Sequence, residues 1–230
     1  MWNESAKRTN DLFQQIHFSN IQSDSYESIT HEILYYCSDV KKGKFLEVGC
    51  GNGLLLRNFV TVFSEVYGVD LSDELVEVAK KEVPQAKIFI SEGKNLNFPD
   101  NTFDCAVANS IYQYFPDEKY ALEVTQEMLR VVKRGGKIYI GDVYNLGLKS
   151  IYERYYRYKN TSIIERAKMA VKKVLYTFSN KRNLFDYLYL EPNFFITNFT
   201  RIAYVTPKLI ISKKPELFRI FRFDVLIEKI

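Results

Sequence analysis

From residue 44 to 143 two hydrophobic patterns alternate along the chain. Short apolar runs at 45–48, 65–70, 86–92, 103–110 and 137–143 read as five strands. Between them, apolar residues recur at helical spacing. Residues 54–60 read as one helix. A second follows Ser72, a good cap, with Asp73 and Glu74 in its first turn, Lys80 and Lys81 in its last, and Pro84 beyond its end. From 117 to 134, Ala121, Val124, Met128, Leu129, Val131 and Val132 mark a buried helix face, which Gly135-Gly136 is expected to terminate. Upstream, Tyr26, Ile29, Ile33, Tyr36 and Cys37 predict a helix over 26–37, with Asp24 or Ser25 as its cap and Gly43 after its end. Strands alternating with helices in this way predict an α/β fold with a doubly wound, parallel sheet core.

The pattern changes after Val143. Ser162 and Glu165 form a capping box that opens a helix running to about residue 178. Ile163, Ala167, Val171, Val174 and Phe178 give it an apolar face; Arg166, Lys168, Lys172 and Lys173 give it a basic one. Ahead of it, Tyr152, Tyr155, Tyr156 and Tyr158 alternate with Arg154, Arg157 and Lys159. Residues 198–205 and 222–230 read as two closing strands. Four segments result: a helical cap over 1–40, a sheet core over 41–148, a basic helical insertion over 149–190, and closing strands over 191–230.

Composition narrows the class. An apolar content of 47% in 230 residues suits one α/β domain with additions, and no run is long enough to cross a bilayer. The first ten residues are polar and lack the apolar stretch of a signal peptide, so a cytoplasmic location is expected. Cys37, Cys50 and Cys105 form no C-x-x-C pair and no zinc spacing; Cys50 and Cys105 read as packing residues. Two histidines cannot build a histidine-rich metal site, and no metal is expected. The net charge of +4 is uneven. Residues 149–182 carry ten Lys/Arg and two Glu, which leaves the remainder at −4. Such asymmetry bears on partners rather than on fold.

The candidate chemistry lies in Phe45-Leu46-Glu47-Val48-Gly49-Cys50-Gly51-Asn52-Gly53. Strand, glycine turn and helix present a nucleotide-like ligand at a strand's carboxyl end. Glycine permits positive φ and close approach of a ligand to the backbone. The third glycine of the dinucleotide fingerprint is replaced by Leu54. Asp70 follows at a distance that fits one helix plus one strand, where a carboxylate can accept hydrogen bonds from both ribose hydroxyls.

The Glu47–Gly53 stretch resembles the E/D-x-G-x-G-x-G signature of class I, Rossmann-like methyltransferases that use S-adenosylmethionine. Residues 91–98 are similar to that family's G-D-A-x-x-L-P-F segment, 103–107 to its F-D-x-V segment, and 133–136 to its L-K-P-G-G turn with Arg134 in place of proline. The resemblance spans 44–143. It implies a mostly parallel seven-stranded sheet with an antiparallel C-terminal edge, and a helical insertion after the fifth strand that covers the substrate pocket. It also implies S-adenosylmethionine as cofactor and S-adenosylhomocysteine as product. The implied cofactor set is Glu47, Gly49, Cys50, Gly51, Asn52, Gly53, Asp70, Leu71, Glu92, Gly93, Asn109, Ser110 and Gln113. Glu92 would take the adenine amino group, and the Gly93 N–H would face a ring nitrogen. Many relatives carry a histidine where Tyr114 stands, so the obvious general base is missing.

The implied reaction moves a methyl group from a sulfonium to an oxygen or nitrogen nucleophile of a small metabolite, an anionic one among the candidates, with alignment and exclusion of water as the protein's main contributions. Candidates near the methyl are Tyr114, Asp142 and Tyr144, with His31 reaching in from the leading helix. An alternative is a nucleic-acid methyltransferase, prompted by the basic, tyrosine-rich insertion. Against it, Asn109-Ser110-Ile111-Tyr112 lacks both prolines of D/N-P-P-Y. A lipid-surface enzyme and a non-catalytic binding domain are the others. A small-molecule acceptor, peripheral membrane contact at the basic face and a monomer or homodimer complete the expectations.

Overall fold

A computed structural model describes residues 23–152, 154, 187–200, 205–210 and 222–230. Trp2, most of the cap over 1–40 up to residue 22, and the insertion's helix over 162–178 lie outside the described residues.

Seven strands form one sheet: β1 (Lys44–Val48), β2 (Glu65–Asp70), β3 (Lys87–Ile90), β4 (Phe103–Asn109), β5 (Val132–Tyr144), β6 (Val205–Ile210) and β7 (Arg222–Lys229). Their order is β3-β2-β1-β4-β5-β7-β6. The first five pair in parallel, while β7 pairs antiparallel with both β5 and β6. The expected α/β sheet with an antiparallel edge is therefore the observed one.

The period-two geometry of the strands divides the core in two. Leu46, Val48, Ala106, Ala108, Ile138, Ile140, Val225 and Ile227 face one side and pack with the helix α3 (Glu118–Val131) through Ala121, Val124 and Met128. Phe45, Cys105, Val107, Tyr139 and Leu226 face the other. There they meet α1 (Ser23–Tyr36) through Ile29 and Ile33, and α2 (Asp73–Glu82) through Val76 and Ala79. Being covered on both faces is what makes β1 and β4 near-continuous apolar runs rather than alternating ones. Each side chain of this size withdrawn from water contributes roughly 1.5–3 kcal/mol.

The helix ends follow local chemistry. Ser72 Oγ accepts the Leu75 N–H at 3.2 Å and opens α2. Asp117 Oδ1 accepts the Tyr120 N–H at 2.8 Å and opens α3. Asp24 and Ser25 lie inside α1, not ahead of it.

Four boundaries differ from expectation. Residues 54–60 form turns around a short 3₁₀ segment, Leu56–Asn58, with Leu54, Leu55, Leu56 and Phe59 buried and Arg57 exposed. β3 ends at Ile90, since Asn95 donates to the Glu92 carbonyl at 2.9 Å and turns the chain there. α3 ends at Val131, and Val132 is already extended. Gly135, at φ +80°, lies inside β5, where the register slips from Phe103↔Val132 to Cys105↔Lys137; the glycines bulge a strand and do not stop a helix. Finally, 194–199 is a helix, α4 (Phe194–Phe199), instead of the start of a strand. It buries Phe195 against Tyr112 at 5.6 Å between ring centroids, and β6 begins only at Val205.

Candidate active site

The carboxyl ends of β1, β2, β3 and β4 border a cavity of about 390 Å³. Gly49 and Gly51, at φ +75° and +52°, turn the chain back beneath it. At Gly49 a Cβ would stand 2.5 Å from Ile111 Cγ2, so the turn and the loop after β4 can touch only without a side chain.

Five N–H groups of the turn are committed within the protein. Gly49 and Cys50 donate to the Val69 carbonyl at 2.8 and 3.0 Å. Gly51 donates to Asp70 Oδ2 at 2.8 Å, Gly53 to the Cys50 carbonyl at 2.9 Å, and Leu54 to Asn52 Oδ1 at 3.3 Å. A pyrophosphate cradle needs such donors turned toward the ligand. The α-helix expected behind the turn, whose first N–H groups would have supplied them, is also replaced by the 3₁₀ segment.

Charge points the same way. Glu47, Asp70 and Glu92 all line the cavity, and no Lys or Arg does among the described residues. Glu47 is only 3% exposed, and its Oε2 has no hydrogen-bond partner. Burial, and next the charge of Asp70, push its carboxyl well above the usual range. Asp70 is raised as well, by burial, against the lowering effect of the Ser72 and Gly51 N–H groups. An unsatisfied buried acceptor calls for a donor. A ligand with an ammonium group near Glu47 and hydroxyls near Asp70 satisfies this site; a polyanion does not. S-adenosylmethionine, cationic and free of phosphate, fits.

Most of the expected cofactor residues are brought together. Glu47, Gly49, Cys50, Gly51, Asn52, Asp70, Leu71, Glu92, Gly93, Asn109 and Ser110 border the cavity, and so does Tyr114. Leu71 is 71% exposed there, an apolar side chain held at the rim. Cys50 is a buried packing residue, with burial raising its thiol.

Gly53, Gln113, Asp142 and His31 are not in the lining. Gly53, at φ +82°, lies against α2, where a Cβ would meet Val83 Cγ2 at 2.9 Å. Gln113 is buried and donates through Nε2 to the Ser110 carbonyl at 2.8 Å, which braces the loop from behind. His31 is exposed on α1, the helix that covers the Phe45 and Tyr139 face of the sheet, and not at the strand ends.

Asp142 lies one layer behind the cavity. It accepts the Ser110 hydroxyl at 2.5 Å and pairs with Arg222, while its own N–H donates to Asp224 Oδ1 at 2.7 Å. Ser110 and Asp142 both have positive φ, 58° and 66°, a conformation that non-glycine residues adopt only when their surroundings impose it. Burial opposes the charge of Arg222, but Asp142, Tyr144 and Tyr152 together raise the guanidinium above its usual range. The Asp142 carboxylate is thus held between the Ser110 hydroxyl and Arg222.

Tyr114 is 38% exposed at the cavity's open side. Its ring meets Tyr187 at 5.9 Å, and Tyr187 meets Tyr144 at 5.1 Å. Burial, then Tyr187 and Asp142, push the Tyr114 phenol up. It therefore stays protonated at neutral pH and offers an O–H donor. Tyr120, Phe115 and Pro116 also line the cavity without any motif to announce them.

Comparison with known proteins agrees with the geometry. Residues 46–140 match the family described as Methyltransferase domain. An uncharacterized protein of Methanocaldococcus jannaschii is 37% identical over 102 residues, 44% of this chain and 45% of that one. A demethylmenaquinone methyltransferase of a Geobacillus species is 28% identical over 175 residues, 69% of this chain and 74% of that one. Among solved structures, a proposed S-adenosyl-L-methionine-dependent methyltransferase of Methanococcus maripaludis superposes with a TM-score of 0.62 at 20% identity, covering 99% of this chain and 93% of that one.

Proposed function

We infer that this chain, whose residues 46–140 match the family described as Methyltransferase domain, uses S-adenosylmethionine and transfers a methyl group to an oxygen or nitrogen nucleophile of a small organic molecule. The observation that carries the reading is the buried, unpartnered Glu47 Oε2 beside Asp70 in a cavity without a cationic side chain among its described lining. When bound, S-adenosylmethionine supplies a methyl group already activated on a sulfonium.

The chain's own residues bind and orient. Glu47 would hold the ammonium group, Asp70 the ribose hydroxyls, and Leu71 with Leu75 would flank the nucleoside and exclude water. Tyr114 would border the acceptor, and its protonated phenol donates a hydrogen bond and does not remove a proton. Alignment of this kind is worth roughly 7–11 kcal/mol of barrier when complete. An acceptor that is neutral as an amine, or acidic as a phenol, needs little further help.

A second reading concerns the acceptor. Tyr114 lines the cavity, with Tyr187 packed on its ring and Tyr144 on Tyr187; such an aromatic edge suits a flat ring, and the Geobacillus relative is named for demethylmenaquinone. A quinol-type ring is the small molecule these observations favour. An anionic acceptor held by the basic insertion stays a weaker proposal, because Arg157, Arg166 and Lys173 lie outside the described residues.

The test is a labelled methyl donor offered with phenols and quinols, small amines, RNA and anionic vesicles in parallel. Label in a small molecule supports the reading; label in RNA or lipid alone defeats it.

A further inference from the structure

Tyr120 lines the same cavity as Glu92, and its hydroxyl donates to Glu92 Oε1 at 3.0 Å. Lys94 Nζ stands 3.5 Å from that same oxygen and 5.0 Å above the Tyr120 ring. Both contacts fall on Oε1; among the described residues no hydrogen bond falls on Oε2. The Glu92 side chain is 41% exposed, so alone it would sample several rotamers. Lys94 is itself 37% exposed, and an ion pair so accessible to water fixes little. Tyr120 is different. It stands in the first turn of α3, its N–H is held by Asp117, and its ring packs on Phe115 at 4.9 Å.

We propose that Tyr120 is a positioning residue that makes this site choose a 6-amino over a 6-oxo purine. The inference rests on the cofactor reading above. A carboxylate only accepts hydrogen bonds. It takes an N–H from an exocyclic amine and repels the carbonyl oxygen that a 6-oxo purine presents at the same place. Repulsion discriminates only if the carboxylate cannot rotate away. Tyr120 occupies one oxygen from a rigid helix and leaves the other to read the base. Nothing else among the described residues holds Glu92 from a fixed element.

The test is calorimetric titration of the full chain with S-adenosylhomocysteine and with S-inosylhomocysteine. Wild type should prefer the adenosyl ligand by about tenfold or more. Tyr120→Phe keeps the ring on Phe115 and should lower that ratio by about tenfold, chiefly by tightening the inosyl ligand relative to the adenosyl one. In a Glu92→Gln background, Tyr120→Phe should not move the ratio, because an amide presents both a donor and an acceptor. Wild type that binds neither ligand sinks the cofactor reading itself. Wild type that binds with a ratio Tyr120→Phe leaves alone, or a variant that weakens both ligands equally, overturns the role of Tyr120. Should Tyr120→Phe prove unstable, Tyr120→Met, which also lacks the hydroxyl, takes its place: the ratio must fall as for Tyr120→Phe, and a preserved ratio overturns the proposal.

Discussion

Glu47 and Asp70, on the neighbouring strands β1 and β2, turn their carboxyl groups into one cavity, and the charge of Asp70 adds to burial in raising the Glu47 carboxyl. In the ligand-free protein the native state therefore holds a proton over a pH range in which the unfolded chain has lost it. The sign is fixed by linkage: Glu47 weakens the ligand-free fold as pH climbs from the ordinary glutamate range through the raised native value.

An ammonium group beside Glu47 reverses this, because an opposite charge favours the ionised carboxylate. Binding of S-adenosylhomocysteine should then release a proton, and affinity should rise with pH across the same window. Calorimetry in two buffers of different ionisation enthalpy reads the release directly. Identical heats in both buffers would remove Glu47 as the ammonium's partner. Glu47→Gln should abolish the buffer dependence.

Asp70 does more than await a ribose. Its two oxygens accept the Gly51 and Ser72 N–H groups, so it also ties the glycine turn to β2 and to the start of α2. Hydrogen bonds to a charged group are worth about 1.5–3 kcal/mol. Asp70→Ala should cost about that much in denaturant stability in addition to weakening S-adenosylhomocysteine. Asp70→Asn, which keeps one acceptor oxygen, should recover part of the stability and less of the affinity. Full stability in Asp70→Ala would mean that the turn does not depend on it.

What the sequence made legible is what local chemistry dictates. Gly49, Gly51, the acid at Glu47, the second acid at Asp70 and the cap at Ser72 are tied to strand ends and helix starts by short-range rules; the structure brings the first four to one cavity and sets Ser72 at the start of α2. The 54–60 stretch misleads because turns around a 3₁₀ segment bury Leu54, Leu55, Leu56 and Phe59 at a spacing that an α-helix would also give. The surroundings of Asp142 are hidden from the sequence for another reason. Its position at the carboxyl end of β5 suggests catalysis, but its partner Arg222 is 80 residues away on an antiparallel strand, at an irregularity between Ile140 and Val143. No spacing rule reaches that far. Tyr120 is equally silent: an aromatic residue in a helix's first turn carries no sign of the carboxylate it meets.

The Asp142–Arg222 pair makes its own prediction. Both side chains are about 15% exposed, at 15% and 14%, and removing one leaves the other charged in a poor environment. Arg222→Met should therefore destabilise the fold by about 3–5 kcal/mol, whereas the double variant Asp142→Asn with Arg222→Met should regain most of that loss. Methyl transfer by the folded double variant is the informative readout. Retained turnover assigns the pair to holding Ser110; turnover abolished in a well-folded, cofactor-binding double variant would return Asp142 to the list of catalytic groups.

Tyr114 separates cofactor from acceptor. It lines the cavity, yet its ring leans on Tyr187 and, through it, on Tyr144 and the buried Arg222, which stacks 4.5 Å over the Tyr144 ring. If the Tyr114 ring receives a flat acceptor, Tyr114→Ala removes an aromatic contact worth about 0.5–1.5 kcal/mol beyond its buried area. The acceptor's KM should then rise by several-fold to about tenfold. S-adenosylhomocysteine affinity should change little, because the polar anchors of that ligand are Glu47 and Asp70. Tyr114→Phe keeps the ring and loses only the hydroxyl, so it tests the phenol as a donor: a fall in kcat with unchanged KM would show the O–H acting on the acceptor during transfer. An equal loss of cofactor affinity in Tyr114→Ala would place the ring in the cofactor's own pocket. No change in either constant would move the acceptor to another wall of the cavity.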